Sequence, residues 1–184
     1  RMSNCVAELF QLEAQNLTAI NNASIDVVLC HWALTLMDPI TPVLKEINRI
    51  LSSGGKFAAL VNGPMNIAPG YLDVYNLIYK YVQTKLPNYG KIDLGDPRIR
   101  STKSLEHLVG EVFPSAEISI ENNVVSLLGP VTEVSETAAG FFYASFILPT
   151  ELRMRMLSDL SNLLSVSKQE GRFVMPISRL IVKK

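Results

Sequence analysis

Two short apolar runs with one helical segment between them set the tightest limit on the fold. Val27-Val28-Leu29 lead into Cys30, and Phe57 to Val61 form the second run. Both are continuous rather than alternating, the pattern of strands covered on both faces. Between them, Asp38-Pro39 and Thr41-Pro42 read as helix starts, because proline suits a first helical turn. Asp38 reads as an N-cap. Val43, Leu44, Ile47, Ile50 and Leu51 then share one helical face, and Gly54-Gly55 predicts a helix stop and turn. Strand, helix and strand with short links make a βαβ unit, and its right-handed crossover makes the strands parallel. An α/β sheet with helices on both faces follows.

The rest of the chain extends this frame. Cys5 to Leu12 partly alternates and reads as a strand, and so does Glu117 to Glu121. Asn122-Asn123 reads as a turn. Tyr71, Tyr75, Ile78, Val82 and Leu86 predict an amphipathic helix. Thr102 or Ser104 would cap a helix through Val112, and Thr150 would cap another through Leu164. Val131 to Ala144 reads as helical. Arg172 to Lys183 predicts a last strand, with Pro176 marking an edge or a bulge. Late strands of this kind pair antiparallel, so the expected sheet is mostly parallel with a C-terminal antiparallel pair.

Composition excludes several classes of function. Apolar residues make up 48% of the 184 and charged residues 18%, which suits one domain with a real core. Lysine plus arginine equal aspartate plus glutamate at 17 each, which argues against nucleic-acid binding through phosphate neutralisation. The partner expected is a small molecule or another protein, with no nucleic acid and no membrane. Cys5 and Cys30 form no CxxC pair, so neither a disulfide scaffold nor a metal site is expected. No run is long enough to span a bilayer, and "RMSNCV" does not read as a signal peptide. A cytoplasmic location is expected.

The segment "SIDVVLCHWALTLMDPITPVLKEINRILSSGGKFAALV" resembles the central part of class I S-adenosylmethionine-dependent methyltransferases. Ile25-Asp26, Leu36, Asp38, Glu46-Ile47-Asn48-Arg49-Ile50-Leu51 and Gly54-Gly55 stand in the family's register. "LEAQNL" (Leu12 to Leu17) resembles its acidic segment after the third strand, and "STKSLEHLVGEVFPSAEISIE" its later helix and strand. Ser52-Ser53 replaces the usual Lys-Pro, and Glu13 the commoner Asp. The family's glycine-rich first motif and the acidic end of its second strand have no counterpart. The resemblance implies a partial Rossmann-like methyltransferase fold, with residues 1–184 as a single truncated domain. Within it, 1–61 form the cofactor side, 62–100 a substrate cap and 101–184 the C-terminal helices and strands.

The resemblance also assigns residues. It implies S-adenosylmethionine as cofactor, held in an incomplete site by Glu13, Ala14, Gln15, Cys30, His31 and Trp32. Glu13 would accept from the adenine amino group, and the backbone of Ala14 or Gln15 would donate to a ring nitrogen. Cys30-His31-Trp32 sits at a strand's carboxyl end, where open α/β sheets bind ligands. Trp32 would face the sulfonium or the substrate, and His31 would act as general base where the acceptor carries a proton. Leu36, Tyr71, Tyr75 and Phe142 would line the substrate pocket, with Phe141 and Tyr143 beside them. Tyr79 and Tyr81 lie on or near the same helix, and His107 reads as structural. The expected function is methyl transfer to a small-molecule acceptor, by a fragment that binds cofactor poorly alone. The alternative is a degenerate methyltransferase-like domain used for protein association. In that case the open edge of the Asp26–Cys30 strand would pair two chains, unless Cys5 to Leu12 fills it.

Overall fold

The computed structural model describes residues 7–90, 95–142 and 144–184. Its elements run β1 (Ile25–His31), α1 (Ile40–Ile50), β2 (Leu51–Asn62), α2 (Tyr71–Gln83) and α3 (Thr102–Val112). They continue with β3 (Glu117–Pro130), α4 (Val131–Phe141), α5 (Ala144–Ile147), α6 (Thr150–Leu164) and β4 (Glu170–Lys183). The sheet order is β1-β2-β4-β3. β1 and β2 run parallel, Val28 beside Phe57 and His31 beside Leu60, with α1 as their crossover. The expected βαβ unit is therefore present.

The sheet as a whole is mostly antiparallel, which corrects the expectation of a mostly parallel one. β4 inserts between β2 and β3 and runs opposite to both. Only a strand reached through a crossover helix can pair parallel, and α1 supplies that crossover for β1 and β2. β3 stays in register with β4 from Glu117–Lys183 to Pro130–Glu170. The turn expected at Asn122-Asn123 is absent: the strand runs straight through, and Asn122 Oδ1 accepts from Ser178 Oγ at 2.6 Å. Long-range pairing overrides the local turn signal. Pro176 lies where β4 leaves β2, whose last partner is Ile177. Its missing N–H therefore costs no ladder bond on that side, as expected of an edge position.

Two apolar clusters hold the fold. In the first, α1 and α3 cover one sheet face through Val43, Leu44, Ile47, Leu105, Leu108 and Val109 against Phe57, Ala59, Val61, Leu180 and Val182. In the second, α2, α4 and α6 gather around Phe173 and Val174, where β3 and β4 run on as a two-stranded ribbon. β1 is buried on one face only. Val28 and Cys30 pack against the first cluster, while Val27 and Leu29 point the other way and stand 55% and 76% exposed.

Several local expectations need correction. Residues 7–12 form no regular structure, so no strand lies there, and Cys5 falls outside the described residues. α1 begins at Ile40 after a cis Asp38-Pro39 bond, and Asp38 is not its cap. The carboxylate facing Ile40 N is instead that of Asp96, at 3.5 Å. Gly54-Gly55 does not stop α1, which ends at Ile50; the pair belongs to β2, where the register with β1 shifts. There Gly54 adopts φ +77°, a value glycine takes without steric cost. α3 is capped by Ser101, which accepts from Ser104 N at 3.4 Å, rather than by Thr102 or Ser104. Thr150 lies inside α6, whose N-cap position is Pro149.

Candidate functional site

At the end of β1 the backbone turns sharply. Trp32 adopts φ 59° and ψ −7°, a left-handed conformation that is costly for a bulky residue. Three bonds hold it there. Trp32 N donates to Leu60 O at 3.0 Å, its indole Nε1 donates to Asn62 Oδ1 at 2.7 Å, and Thr35 Oγ1 donates to its carbonyl at 2.6 Å. A single 3₁₀ turn over Ala33–Leu36 follows and buries Leu34 completely. Such strain at the carboxyl end of a strand is where functional sites concentrate. Cys30 lies just inside. Burial pushes its thiol pKa up, with backbone contacts from Leu34 and Ala33 opposing, so it is a poor nucleophile at neutral pH.

A cavity of about 670 Å³ opens at this turn. His31, Trp32 and Asn62 form one side. α2 supplies the second with Tyr71, Tyr75 and Tyr79, joined by Tyr89, and the end of α4 supplies the third with Phe141 and Phe142. Leu36 and Met65 stand at the rim, 59% and 42% exposed. Residues 71, 75 and 79 recur at helical spacing, so one face of α2 turns all three toward the same space. Tyr81 falls on another face and donates to Asp159 Oδ2 at 2.6 Å, away from the cavity.

The rings touch one another as a chain. His31 meets Trp32 edge-on at 4.9 Å between centroids. Trp32 meets Phe141 at 5.6 Å, and Phe141 meets Phe142 at 5.6 Å. Tyr71 lies 5.9 Å from Phe142. Tyr75 stacks on Tyr79 at 3.8 Å, and Tyr79 meets Tyr89 at 4.9 Å. The Tyr89 hydroxyl donates to Phe142 O. Burial, reinforced by Tyr75, pushes the Tyr71 phenol up to about 12. Burial and a hydrogen bond to Tyr75 push Tyr79 higher still. Both remain protonated at neutral pH.

Asp96, 5% exposed, braces the chain just after this turn. Its carboxylate accepts from Arg98 N at 3.0 Å, Nε at 2.9 Å and an outer guanidinium nitrogen at 2.6 Å. Asp96 N donates to Met37 O at 2.9 Å. The guanidinium of Arg98, opposed by burial and helped by backbone N–H groups, holds the Asp96 pKa at about 2. Gly95 has φ +68°, and a Cβ there would stand 2.3 Å from Thr35 O. Only glycine lets this loop approach the turn that presents Trp32.

The cavity thus gathers His31, Trp32, Leu36, Tyr71, Tyr75 and Phe142. Glu13, Ala14, Gln15 and Cys30 lie outside it. Glu13 is exposed and accepts from Gln15 Nε2 at 3.0 Å, while Ala14 packs against the first cluster. This segment is tied to α1 by Arg49, which donates to Leu17 O, Ile20 O and Glu46. The Arg49 guanidinium and the N–H of Leu17 hold Glu46 down to about 2. His107 sits on the surface beside Glu111, with its side chain 80% exposed. Tyr143 lies outside the described residues. Asn62 and Tyr89 belong to the site but carried no motif, since only the long-range geometry brings them to Trp32 and Tyr79. Among the described residues no group of three His, Cys, Asp or Glu could hold a metal ion. Among the described residues no helix is long and apolar enough to cross a membrane.

Comparison with known proteins agrees with the earlier resemblance. Residues 2–59 match the family described as "Methyltransferase domain". No curated protein matches the chain. Among solved structures, a proposed methyltransferase from Bacillus halodurans superposes with a TM-score of 0.53 at 14% identity, over 95% of this chain and 70% of that one. A proposed methyltransferase of an antibiotic-biosynthesis pathway from Anabaena variabilis gives 0.53 at 14% identity, over 95% and 72%. The YcgJ protein from Bacillus subtilis gives 0.52 at 11%, over 95% and 70%. At such identities the likeness is one of fold, and the fold is the Rossmann-like one that the sequence led us to expect.

Proposed function

On the premise that the chain belongs with the class I S-adenosylmethionine-dependent methyltransferases, as its family match and its fold agree, we propose that it methylates a small molecule seated in the aromatic cavity. The observation that carries this reading is the 670 Å³ space opening at the strained exit of β1. S-adenosylmethionine, when bound, supplies a methyl carbon activated by a sulfonium. The residues around it have four tasks. Glu13 and the backbone of Ala14 and Gln15 hold adenine. The ring of Trp32, fixed by Asn62, faces the positive sulfur. The tyrosines of α2 and the end of α4 seat the acceptor and exclude water, which makes orientation the main source of rate. His31, exposed at the rim, takes the acceptor's proton, a role worth about 10²- to 10⁴-fold.

Calorimetric titration with S-adenosylhomocysteine tests the reading. The expected result is saturable binding that is lost in Glu13→Ala. Absence of any saturable heat at high ligand concentration would overturn it.

One observation favours a second reading, a degenerate domain used for association. Val27 and Leu29 lie together on the open face of β1, and its outer edge is unpaired among the described residues. Such an edge can pair with another copy. That reading predicts a dimer in sedimentation and no binding of S-adenosylhomocysteine.

A further inference from the structure

We propose that the acceptor is an uncharged phenol built on a flat multi-ring system, recognised by the aromatic walls between Trp32, α2 and the end of α4. The transfer of methyl to that phenol rests on the reading above; its binding does not.

Size comes first. A cavity of about 670 Å³ lies within the range that holds ligands of several rings. The second argument is shape. The aromatic side chains contact one another in series from His31 to Tyr89. Such walls present edges and faces to a slab-like guest, and aromatic pairs prefer these offset and edge-on contacts.

Charge decides between acceptor classes. Among the described lining residues none is Asp, Glu, Lys or Arg. A phosphate or carboxylate brought here would leave water without a cationic partner, at a high cost. A quaternary ammonium needs ring faces converging on one point. Here the facing rings of Tyr75 and Tyr79 are stacked on each other at 3.8 Å, so each blocks a face of the other. Among the described residues no carboxylate on the wall would complete a cation site.

The polar atoms present suit neutral hydroxyl groups. Tyr71 and Tyr79 keep their phenolic protons, and each can donate to or accept from a guest hydroxyl. Asn62 reaches the same wall while its Oδ1 holds the Trp32 indole. His31 stands at the open side, where a phenolic proton would leave before the methyl arrives. In that step the phenol O–H bond breaks, its proton passes to His31, and the oxygen forms a bond to the methyl carbon. The carbon–sulfur bond breaks, and its electron pair stays on sulfur as a neutral thioether.

The chain carries a single tryptophan, Trp32, so its fluorescence reports directly on this cavity. The experiment titrates the full chain with 6-hydroxyflavone, a planar three-ring phenol that is uncharged at neutral pH, and corrects emission for ligand absorbance. Choline and phosphoethanolamine are titrated separately as charged probes. We expect saturable quenching by 6-hydroxyflavone only, weakened about 3- to 10-fold in both Tyr75→Ala and Phe141→Ala. Phe141 is 37% exposed, so its variant folds even if the Tyr75 variant does not. No saturable change with 6-hydroxyflavone, unchanged affinity in Phe141→Ala, or equal quenching by either charged probe would overturn the proposal. Quenching without any S-adenosylhomocysteine binding would sink methyl transfer and leave the cavity assignment standing. The reverse pattern would sink this acceptor class alone.

Discussion

The two apolar clusters differ in kind. The one between α1, α3 and the sheet is mostly aliphatic, with Phe57 and Phe113 as its buried aromatics, and its members interlock around the βαβ unit. The one between α2, α4, α6 and the β3–β4 ribbon is rich in rings: Tyr71, Phe142 and Phe173 at its centre, with Tyr75, Tyr79, Tyr81 and Tyr89 around them. Branched aliphatic side chains fill space to near-crystalline density. Rigid rings meeting edge to face fill it less evenly, and here they border the 670 Å³ cavity. The aliphatic cluster fixes where β1 ends, and the aromatic one shapes what can sit beside that end.

The comparison is tested most severely at Phe57. It is fully buried, paired with Val28 on one side and Val182 on the other. Phe57→Ala is expected to destabilise the fold by about 3–5 kcal/mol, read as a lower midpoint in urea unfolding. Tyr75→Ala on the aromatic side removes a half-buried ring from a wall that already borders empty space, and should cost clearly less. Equal losses at the two positions would show that the aromatic cluster is as tightly packed as the other, against the division drawn above.

The next effect concerns the joint between the two regions. Asp96 ties the loop after α2 to the start of α1. Its carboxyl is held at about 2, below its ordinary 3.8, so the native state binds fewer protons than the unfolded chain in acid. The stabilisation is complete above the ordinary value and is lost as pH falls through about 2. Glu46, also held at about 2, acts in the same direction. Thermal melts should therefore decline in midpoint from about pH 5 downward. Asp96→Asn should cost about 1–3 kcal/mol at pH 7 and flatten part of that decline. A variant melting like the parent at both pH 7 and pH 3 would show the joint to be idle.

How much of this was legible beforehand follows the same division. The βαβ unit could be read because its signals are local: apolar runs of strand length, one periodic helix, prolines at its start. The α2 tyrosines could be placed on a helix face by their spacing of four. The order of the sheet could not be read, because the insertion of β4 between β2 and β3 depends on partners more than 50 residues apart, such as Asn122 and Ser178. Gly54 misled for a related reason. A glycine with positive φ reads as a helix stop, yet here it serves the register shift in β2, visible only once Ile25 and Val27 find their partners. The role of Asn62 in holding Trp32 was equally hidden, since the two side chains meet only across paired strands.

The smallest expected effect lies on the open face of β1. Leu29, at 76% exposure, contributes little to the isolated fold, so Leu29→Lys should change monomer stability by no more than about 0.5 kcal/mol. Its effect should appear in association instead. A charge on an edge strand discourages pairing with a second copy. Sedimentation of the parent and of Leu29→Lys over a concentration series separates the two outcomes. If the parent self-associates and the variant does not, the face is a contact surface and the aromatic cavity is not the molecule's only candidate site of interaction. If both stay monomeric with equal melting points, Val27 and Leu29 are merely tolerated in water. The association reading then falls, and the aromatic wall alone carries the functional argument.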